Sequence, residues 1–572
     1  MLSRLKNAVL ATGFMSVASV GVLAQTTPAP SISVAPAAAP AAPGAAPGPC
    51  KGTPDPYANY NCLDAYLGDN PFVRLFNYYK LEWGQSAAPV DPTAPPGRRP
   101  TYGESSVEST PPMPFTEWPY GGVTPLGVTR TASVDSPLMN AIANTTIGGW
   151  LNAAGIQIYG WIDPGGNFSS NTLRKPGGNA PINYAYIPNT VQLDQAVIYF
   201  DRFPDTVQKD HIDWGFRIAA IYGENYRYTQ SYGLGSWQFN GQNQVNGVDM
   251  PMVYGELFIP YVADGLMIRV GRYISLPDIE AQLAPNNYMY THSFTYGYDN
   301  YTNEGVQLSL AINANLMFQF GVSAGTEAQI WNYNKTRPNL ATSVTLPSGA
   351  VIANPLYSGS TFKLDPGLQP SYTACVRLEW NDGKDNLYPC VDALNNGAWG
   401  YNNLQWYGFT YYHKWNDQWH ISFELYDIIA YGVPNIGGSN PSPAAVATFA
   451  QGGTPFSPQY LKYNPPNGAN CHNPNVVRCN TSTIGTTFYL AYSPTSLDNI
   501  TLRPEIYYDP QGFRTGTAAT YTNISLGWQH WFSPQVEMRP EVGYYRSHGA
   551  AAFNGGTRNY TWLAAGDVIW HF

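Results

Sequence analysis

Three short stretches of the sequence place an arginine and a glutamate two residues apart. They are Arg377-Leu378-Glu379, Arg503-Pro504-Glu505 and Glu537-Met538-Arg539-Pro540-Glu541. Residues two apart on a β-strand point to the same face, so each stretch would put opposite charges on one wall of a sheet. Such a wall can orient or filter charged solutes. The alternative is a set of ion pairs in wet surroundings, each contributing little to stability, and both interpretations stand.

A further pair of charges lies between predicted strands. Residues 275–285 (SLPDIEAQLAP) interrupt the strand pattern and carry Asp278 and Glu280 among apolar side chains. Inside a closed sheet such an insertion would narrow the interior, and its carboxylates would stand at the constriction. Rings of acidic side chains at that point favour cations. An ordinary exposed loop is the alternative, so Asp278 and Glu280 are constriction candidates.

The sequence contains little that indicates a catalytic site or a metal site. The eight histidines are scattered along the chain, and no H-E-x-x-H zinc motif occurs. His530 lies on a predicted strand and His413 and His420 flank a turn, where interfacial or interior positions are the ordinary expectation. The sequence therefore predicts no enzyme, no catalytic residue, no metal and no cofactor.

The six cysteines fall into three pairs that are close in sequence. The pairs are Cys50 with Cys62, Cys375 with Cys390, and Cys471 with Cys479. In an oxidising compartment, three local disulfides are the natural expectation. A metal site is the alternative, but His472 beside Cys471 is the only histidine near any pair.

The elements that must position these residues are short alternating segments. In residues 306–312 the apolar side chains alternate with polar ones, and residues 214–220, 316–323 and 500–506 repeat the pattern. Recurrence of such segments is typical of transmembrane strands. About sixteen of them, with fourteen to eighteen acceptable, fit between residues 155 and 572. The sequence thus predicts an all-β fold, a transmembrane antiparallel β-barrel wide enough for an aqueous channel.

A barrel assigns the charged side chains to its interior. A charge that faces lipid at mid-depth costs roughly 2–4 kcal/mol, so charges on the strands must face inward. Besides the arginine and glutamate stretches, this argument applies to single charges on other predicted strands. The predicted pore-lining residues are Arg217, Arg269, Arg377, Glu379, Glu424, Arg503, Glu505, Arg539 and Glu541.

The final fourteen residues, NYTWLAAGDVIWHF, form the clearest single strand. Stepping back by twos from Phe572 through Trp570 gives an apolar face with aromatic residues at both ends, as expected at the two interfaces of a bilayer. A terminal strand that ends in phenylalanine resembles the signal by which outer-membrane barrels are recognised for assembly. The alternative is an edge strand in a secreted β-sandwich.

The start of the chain agrees with export. Arg4 and Lys6 precede an apolar stretch that ends in Val22-Leu23-Ala24, so residues 1–24 are expected to be a signal peptide. Residues 25–49 form a Pro/Ala-rich linker. Residues 50–145 are expected to be an irregular periplasmic extension, with one short helix near residues 70–83, and residues 146–572 the barrel.

Composition agrees with this class. The chain has 43 Tyr, 16 Trp and 55 Gly but only 12% charged residues, which is typical of turn-rich β-structure. Loss of Arg4 and Lys6 with the signal peptide leaves 27 basic and 38 acidic residues, a net charge of −11. Nucleic-acid binding is disfavoured because it relies on a basic surface.

Several long stretches resemble the OmpL-like β-barrel porins of bacterial outer membranes. The resemblance covers roughly residues 118–572 and is carried by residues 160–162 (GWI), 193–217 (LDQAVIYFDRFPDTVQKDHIDWGFR), 268–293 (IRVGRYISLPDIEAQLAPNNYMYTHS), 503–516 (RPEIYYDPQGFRTG) and 530–545 (HWFSPQVEMRPEVGYY). It implies a porin-like barrel in the outer membrane. The family has no firm substrate and no established catalytic residues to transfer.

The function expected from the sequence is passive diffusion of small hydrophilic solutes through a water-filled channel. Its expected partners are outer-membrane lipids, the barrel-assembly machinery and those solutes, and homo-oligomers are compatible with it. Two rivals stay open: a secreted all-β protein that binds carbohydrate on its aromatic side chains, and an outer-membrane barrel enzyme. A barrel should require detergent for extraction, whereas a soluble lectin should not.

Overall fold

The computed structural model describes residues 60–83, 136–174, 177–206, 208–229, 245–274, 278–300, 302–313, 315–325, 343–345, 351–353, 370–381, 383–396, 404–416, 418–435, 469–476, 478–495, 497–533 and 535–572. The chain divides into two units, Met1–Pro49 and Cys50–Phe572, and all described residues belong to the second. The predicted signal peptide and Pro/Ala-rich linker therefore lie outside the described residues.

Sixteen antiparallel strands close into a barrel, as the sequence predicted. In chain order the strands are β1 (Gln157–Ser169), β2 (Thr190–Arg202), β3 (Asp213–Gly223), β4 (Gly247–Ile259), β5 (Gly265–Ile274), β6 (Thr302–Asn313), β7 (Leu316–Ser323), β8 (Ser343–Thr345), β9 (Val351–Ala353), β10 (Ser371–Trp380), β11 (Asp385–Leu394), β12 (Leu404–Lys414), β13 (Trp419–Pro434), β14 (Arg478–Thr495), β15 (Asp498–Asp509), β16 (Ala519–Ser533), β17 (Val536–Met538), β18 (Glu541–Gly549) and β19 (Tyr560–His571).

The count of sixteen follows from the pairing. Strands β17 and β18 both pair with β16 and β19 and together make one barrel strand. Strands β8 and β9 form a separate hairpin. Strand β1 pairs with β2 on one side and with β19 on the other, which closes the barrel.

Alternating burial along each strand separates the two faces of the wall. On β16, Ile524, Leu526 and Trp528 are about half exposed, while Ser525 and Gln529 between them are buried. A barrel in lipid turns its apolar face outward and its polar face inward, so this alternation gives the inner and outer faces of every strand. The charged residues argued from the sequence lie on the inner face.

The two ends of the barrel differ in the length of their connections. Strands β6 and β7 are separated by residues 314–315 alone, and β14 and β15 by residues 496–497 alone. At the opposite end, residues 275–301 join β5 to β6 and residues 435–477 join β13 to β14. Short turns mark the periplasmic end of outer-membrane barrels and long loops the extracellular end.

Within residues 60–83 and 136–154, four helices precede the barrel: α1 (Tyr60–Leu67), α2 (Pro71–Glu82), α3 (Pro137–Ile142) and α4 (Thr146–Ala154). The Asn70 side chain accepts hydrogen bonds from the first amides of α2, and Pro71 opens the helix. This helix matches the one predicted near residues 70–83. The buried Arg74 joins α2 to α3, since its Nε donates to the Asn140 carbonyl at 2.9 Å. The predicted domain boundaries stay predictions.

A fifth helix, α5 (Phe294–Gly297), lies in the connection between β5 and β6. Short 3-10 turns occupy Glu224–Tyr228 and Ala284–Asn286. None of the helices in the described ranges is long and apolar enough to cross a membrane.

Two of the three predicted disulfides are present. Cys375 and Cys390 face each other directly on β10 and β11. Cys471 and Cys479 close an eight-residue separation at the start of β14. Cys50 and the side chain of Cys62 lie outside the described residues, so their pairing stays a prediction.

A charged interior as the candidate functional site

The connection between β5 and β6 folds into the barrel. Residues 278–300, here called the inward segment, are buried almost throughout. Their hydrogen bonds reach the inner faces of β2, β11, β13, β15 and β18. For example, the Tyr290 hydroxyl donates to Asp194 on β2 at 2.9 Å, and Asn300 Nδ2 donates to Asp392 on β11 at 2.7 Å. The segment therefore spans the interior from wall to wall.

Three predicted wall glutamates hold the inward segment by its backbone. Glu424 on β13 accepts from the Ile279 amide at 3.0 Å. Glu505 on β15 and Glu541 on β18 accept from the amides of Thr295 and Thr291, at 2.6 and 2.9 Å. Charge-assisted hydrogen bonds to backbone amides are among the stronger protein hydrogen bonds. These carboxylates thus fix the position of the segment.

Arg503 supplies the matching positive charge. Its Nη1 lies 3.3 Å from a carboxylate oxygen of Glu280, and its Nη2 donates to the Thr291 hydroxyl at 2.8 Å. Glu280 also accepts from the Ser293 amide and the Tyr489 hydroxyl. One constriction candidate is therefore neutralised locally and held in a hydrogen-bonded network.

Arg539, between β17 and β18, contacts both the segment and the wall. Its Nη1 donates to the Asn287 carbonyl at 2.9 Å, and its other guanidinium nitrogens pair with Asp567 on β19. Arg539 thus links the segment to the closing strand of the barrel.

The arginines on β3 and β5 form a different pattern. Arg217 pairs with Asp201 on β2 at 3.4 Å, and Arg269 pairs with Glu256 on β4 at 2.7 Å. Each of these pairs joins neighbouring strands and is buried. In this region ion pairs between neighbouring strands join the wall.

Arg377 and Glu379 on β10 pair with each other, as residues two apart on a strand can. Their side chains keep 15% and 23% of their exposure, more than the other wall charges. The pairs two apart on β15 and at residues 539–541 do not meet each other, because both partners are engaged by the inward segment. All nine predicted pore-lining residues lie on the inner wall, and their role in permeation stays a prediction.

The second constriction candidate, Asp278, belongs to a group of three carboxylates. Single oxygens of Asp278, Asp299 and Glu424 lie within 4.8 Å of one another. Burial, then the charge of Asp299, raises the pKa of Asp278 well above its usual range. Burial raises the pKa of Asp299 to about 7, although Trp406 Nε1 donates to it at 2.9 Å. Such a group can share protons or ligate a hard cation.

A shorter stretch, residues 177–187 between β1 and β2, adds aromatic rings to the inward segment. The Tyr184 ring stacks on the rings of His292 and Tyr228, with centroids 3.6 and 4.1 Å apart. Asn183 Nδ2 donates to the Ser293 carbonyl at 3.1 Å. Burial lowers the pKa of His292 well below its usual value, so this ring is neutral and acts in packing.

Sequence reasoning missed the partners of the wall arginines. Asp201, Glu256 and Asp567 are isolated acidic residues in the sequence and become partners only through strand register. The sequence also did not show how residues 291–299 surround the two constriction candidates: the Ser293 amide donates to Glu280, and the Asp299 carboxylate lies beside Asp278. The sequence feature that could have indicated this segment is the long interval, residues 275–301, between the strands β5 and β6.

Residues 321–325 (GVSAG) have the G-x-S-x-G spacing found around the nucleophile of esterases. That motif requires a sharp strand-to-helix turn. Here Ser323 ends the regular strand β7, and its hydroxyl donates to the Asn303 side chain on β6 at 3.3 Å. Residues 321–323 of this motif therefore belong to the barrel wall and do not form the strand-to-helix turn of an esterase.

Trp570 and Phe572 lie where the barrel closes. The Phe572 amide donates to the Gly160 carbonyl at 2.8 Å, and the Gly160 amide donates back at 3.1 Å. Trp570 is on the outer face and 46% exposed. Their recognition by the barrel-assembly machinery stays a prediction.

Similar solved structures include the outer membrane channel DcaP of Acinetobacter baumannii (9% identity, TM-score 0.40) and an anion-selective porin from Comamonas acidovorans (8%, 0.37), which the match covers to 98% and 99%. OmpT of Vibrio cholerae (8%, 0.37) is covered to 97%. Each match covers 73% of this chain.

No curated protein matches the sequence. A family model described as "Putative beta-barrel porin-2, OmpL-like" matches residues 155–572, which include every barrel strand. The family description names a β-barrel porin, and residues 155–572 form a closed β-barrel in the structure. The chain therefore belongs to the OmpL-like β-barrel porin family, whose place is the bacterial outer membrane.

Proposed function

We propose that the protein is a passive, water-filled channel for small hydrophilic solutes, with its narrowest part beside the inward segment. The observation that carries this proposal is the set of wall carboxylates that hold the segment inside the barrel, among them Glu505 and Thr295 at 2.6 Å. A segment that is fixed to the wall narrows the channel permanently, so the proposed constriction requires no gating motion.

The ionic preference follows from charge near the segment. Arg503 offsets Glu280, whereas Asp278 lies beside two further carboxylates. Charges within about one Debye length, roughly 8 Å at physiological salt, dominate what a permeating ion meets. Burial raises the pKa of both Asp278 and Asp299, which weakens the negative charge of this group. The expected result is a weak preference for cations.

Planar-bilayer recording of the purified protein tests the proposal. Stepwise conductance in salt, reduced by uncharged polymers below a size limit, is expected, and a series of sugars and amino acids gives the solute range. Unfolded protein from the same preparation is the control. Correctly folded barrels that insert and conduct nothing would contradict the proposal.

Two partners complete the proposal. Barrel-assembly machinery would insert the chain, and small solutes would pass through it without chemical change. Self-association into a homo-oligomer is compatible with a barrel whose outer wall is apolar, and cross-linking in native membranes measures it.

A further inference from the structure

The helices before the barrel leave a stripe of large apolar side chains exposed. On α2, Phe72 and Phe76 are 84% and 70% exposed, and Trp83 at its C-cap is 56% exposed. Positions 72, 76 and 83 share one side of a helix, because they are separated by about one and two turns. The stripe is about 16 Å long.

The opposite side of α2 is already packed. Arg74, Tyr78 and Leu81 are buried, and Arg74 reaches the Asn140 carbonyl near α3. A helix that is apolar on both sides is covered on both sides, whether by protein or by lipid. The exposed stripe therefore needs a second apolar surface.

The position of α2 identifies that surface. The Trp83 ring stacks on Phe532, with ring centroids 5.5 Å apart. Phe532 follows Ile524, Leu526 and Trp528 along the outer face of β16, the face that meets lipid. The Tyr79 hydroxyl donates to the His571 carbonyl on β19, which β17 and β18 separate from β16. The exposed stripe thus continues the lipid-facing wall at its periplasmic rim.

A second helix, α4, also exposes large apolar side chains. On α4, which leads into β1, Ile147 and Trp150 are 68% and 61% exposed. Lys80 on α2 is exposed beside the stripe and can extend its ammonium to phosphate groups while its stem lies on apolar surface. Trp, Phe and Lys together are typical of helices that lie in a membrane interface.

We propose that α2 and α4 lie in the periplasmic leaflet of the outer membrane, with Phe72, Phe76 and Trp150 inserted at the level of the lipid headgroups. The bound surface is phospholipid, and the barrel wall at Phe532 fixes the depth. The extension before the barrel is then a membrane-bound collar at the rim and not a free periplasmic arm.

Nitroxide labels on the full-length protein in phosphatidylethanolamine/phosphatidylglycerol liposomes test this proposal. Single cysteines are introduced as F76C and W150C, with A65C on an exposed position of α1 as the matched control. The unsubstituted chain under the same labelling sets the background from native cysteines. Heat-modifiable migration on gels shows that each variant has folded.

The expected result is several-fold greater collision with oxygen, relative to a water-soluble nickel chelate, at positions 76 and 150 than at position 65. Equal nickel access at all three positions would overturn the proposal, because the stripe would then face water. Shielding of positions 76 and 150 from both oxygen and nickel would also overturn it, since residues 84–135 or a second copy would then cover the stripe.

Discussion

Two arginines in the first half of the barrel pair with carboxylates of the neighbouring strand, whereas two in the second half reach the inward segment. Arg217 and Arg269 belong to the first group, and Arg503 and Arg539 to the second. Both groups occupy inner-face positions and both are buried. Burial and residue type therefore do not distinguish a wall charge that stabilises the barrel from one that shapes the channel; the partner does.

The largest effect is expected at Arg503. Replacing it with methionine removes the cation beside the buried Glu280 and the hydrogen bonds that Arg503 donates to Thr291. Breaking a buried ion pair costs about 3–5 kcal/mol. The segment should then lose its position, so the R503M channel should unfold at lower denaturant and show altered, noisier conductance.

Urea unfolding in detergent and single-channel recording measure both consequences, and R503K, which keeps the charge, is the matched control. Wild-type conductance in R503M would contradict the assignment of Arg503 to the segment.

A smaller and purely structural effect is expected at Arg217. In R217M, Asp201 keeps the hydrogen bond donated by the Tyr159 hydroxyl at 2.6 Å, so the loss should be about 1.5–3 kcal/mol, the size of one hydrogen bond to a charged group. Conductance should stay at the wild-type level, because Arg217 pairs with Asp201 on the neighbouring strand. Altered single-channel currents in R217M would remove the distinction between the two groups of arginines.

The inward segment should also respond to pH. The pKa of Asp299 is about 7 in the folded protein against an ordinary 3.8, because burial disfavours its charge. Between about pH 4 and pH 7 the folded state therefore binds a proton that the unfolded state has lost, so the free energy of unfolding falls as pH rises through this window.

Unfolding midpoints at pH 5 and pH 8 measure this dependence, with D299N as the comparison. The slope should be smaller in D299N, whose amide oxygen can still accept from Trp406. An equal slope in both proteins would assign the dependence to other groups.

The smallest effect is expected in ion selectivity. Changing Asp278 and Glu280 together to the amides removes two carboxylates. Glu280 is offset by Arg503, and burial raises the pKa of Asp278. The weak cation preference should decline slightly in reversal potentials across a salt gradient. D264N, in an exposed periplasmic turn, removes a charge far from the segment and should change nothing. Anion preference in the wild type would show that Asp278 and Glu280 do not form the filter.

The sequence was sufficient for the barrel because alternation is a local property. Each strand shows its inner and outer faces without reference to its neighbours, so sixteen strands and the inner position of Arg503 and Glu505 follow from counting by twos. The arginine and glutamate stretches misled in one respect: only Arg377 and Glu379 pair with each other.

The remaining contacts depend on register and on tertiary folding. Arg539 meets Asp567 because β17, β18 and β19 are neighbours, and no spacing rule links residues 28 positions apart. The helix α5 has only four residues, and its place is set by Glu505 on the opposite wall. For α2 the sequence predicts a short helix. It does not show which surface covers the second apolar side of that helix.

The seam between β1 and β19 has a consequence for how the protein folds. Ser169 and Thr561 meet across it although they are 392 residues apart in the chain. Until these two strands pair, both carry unpaired backbone groups along a full edge, which other chains can extend by adding strands. Closing so long a loop is also entropically costly and slow. The barrel must therefore pass through an open sheet that is prone to aggregation, and the formation of one strand pair ends that risk.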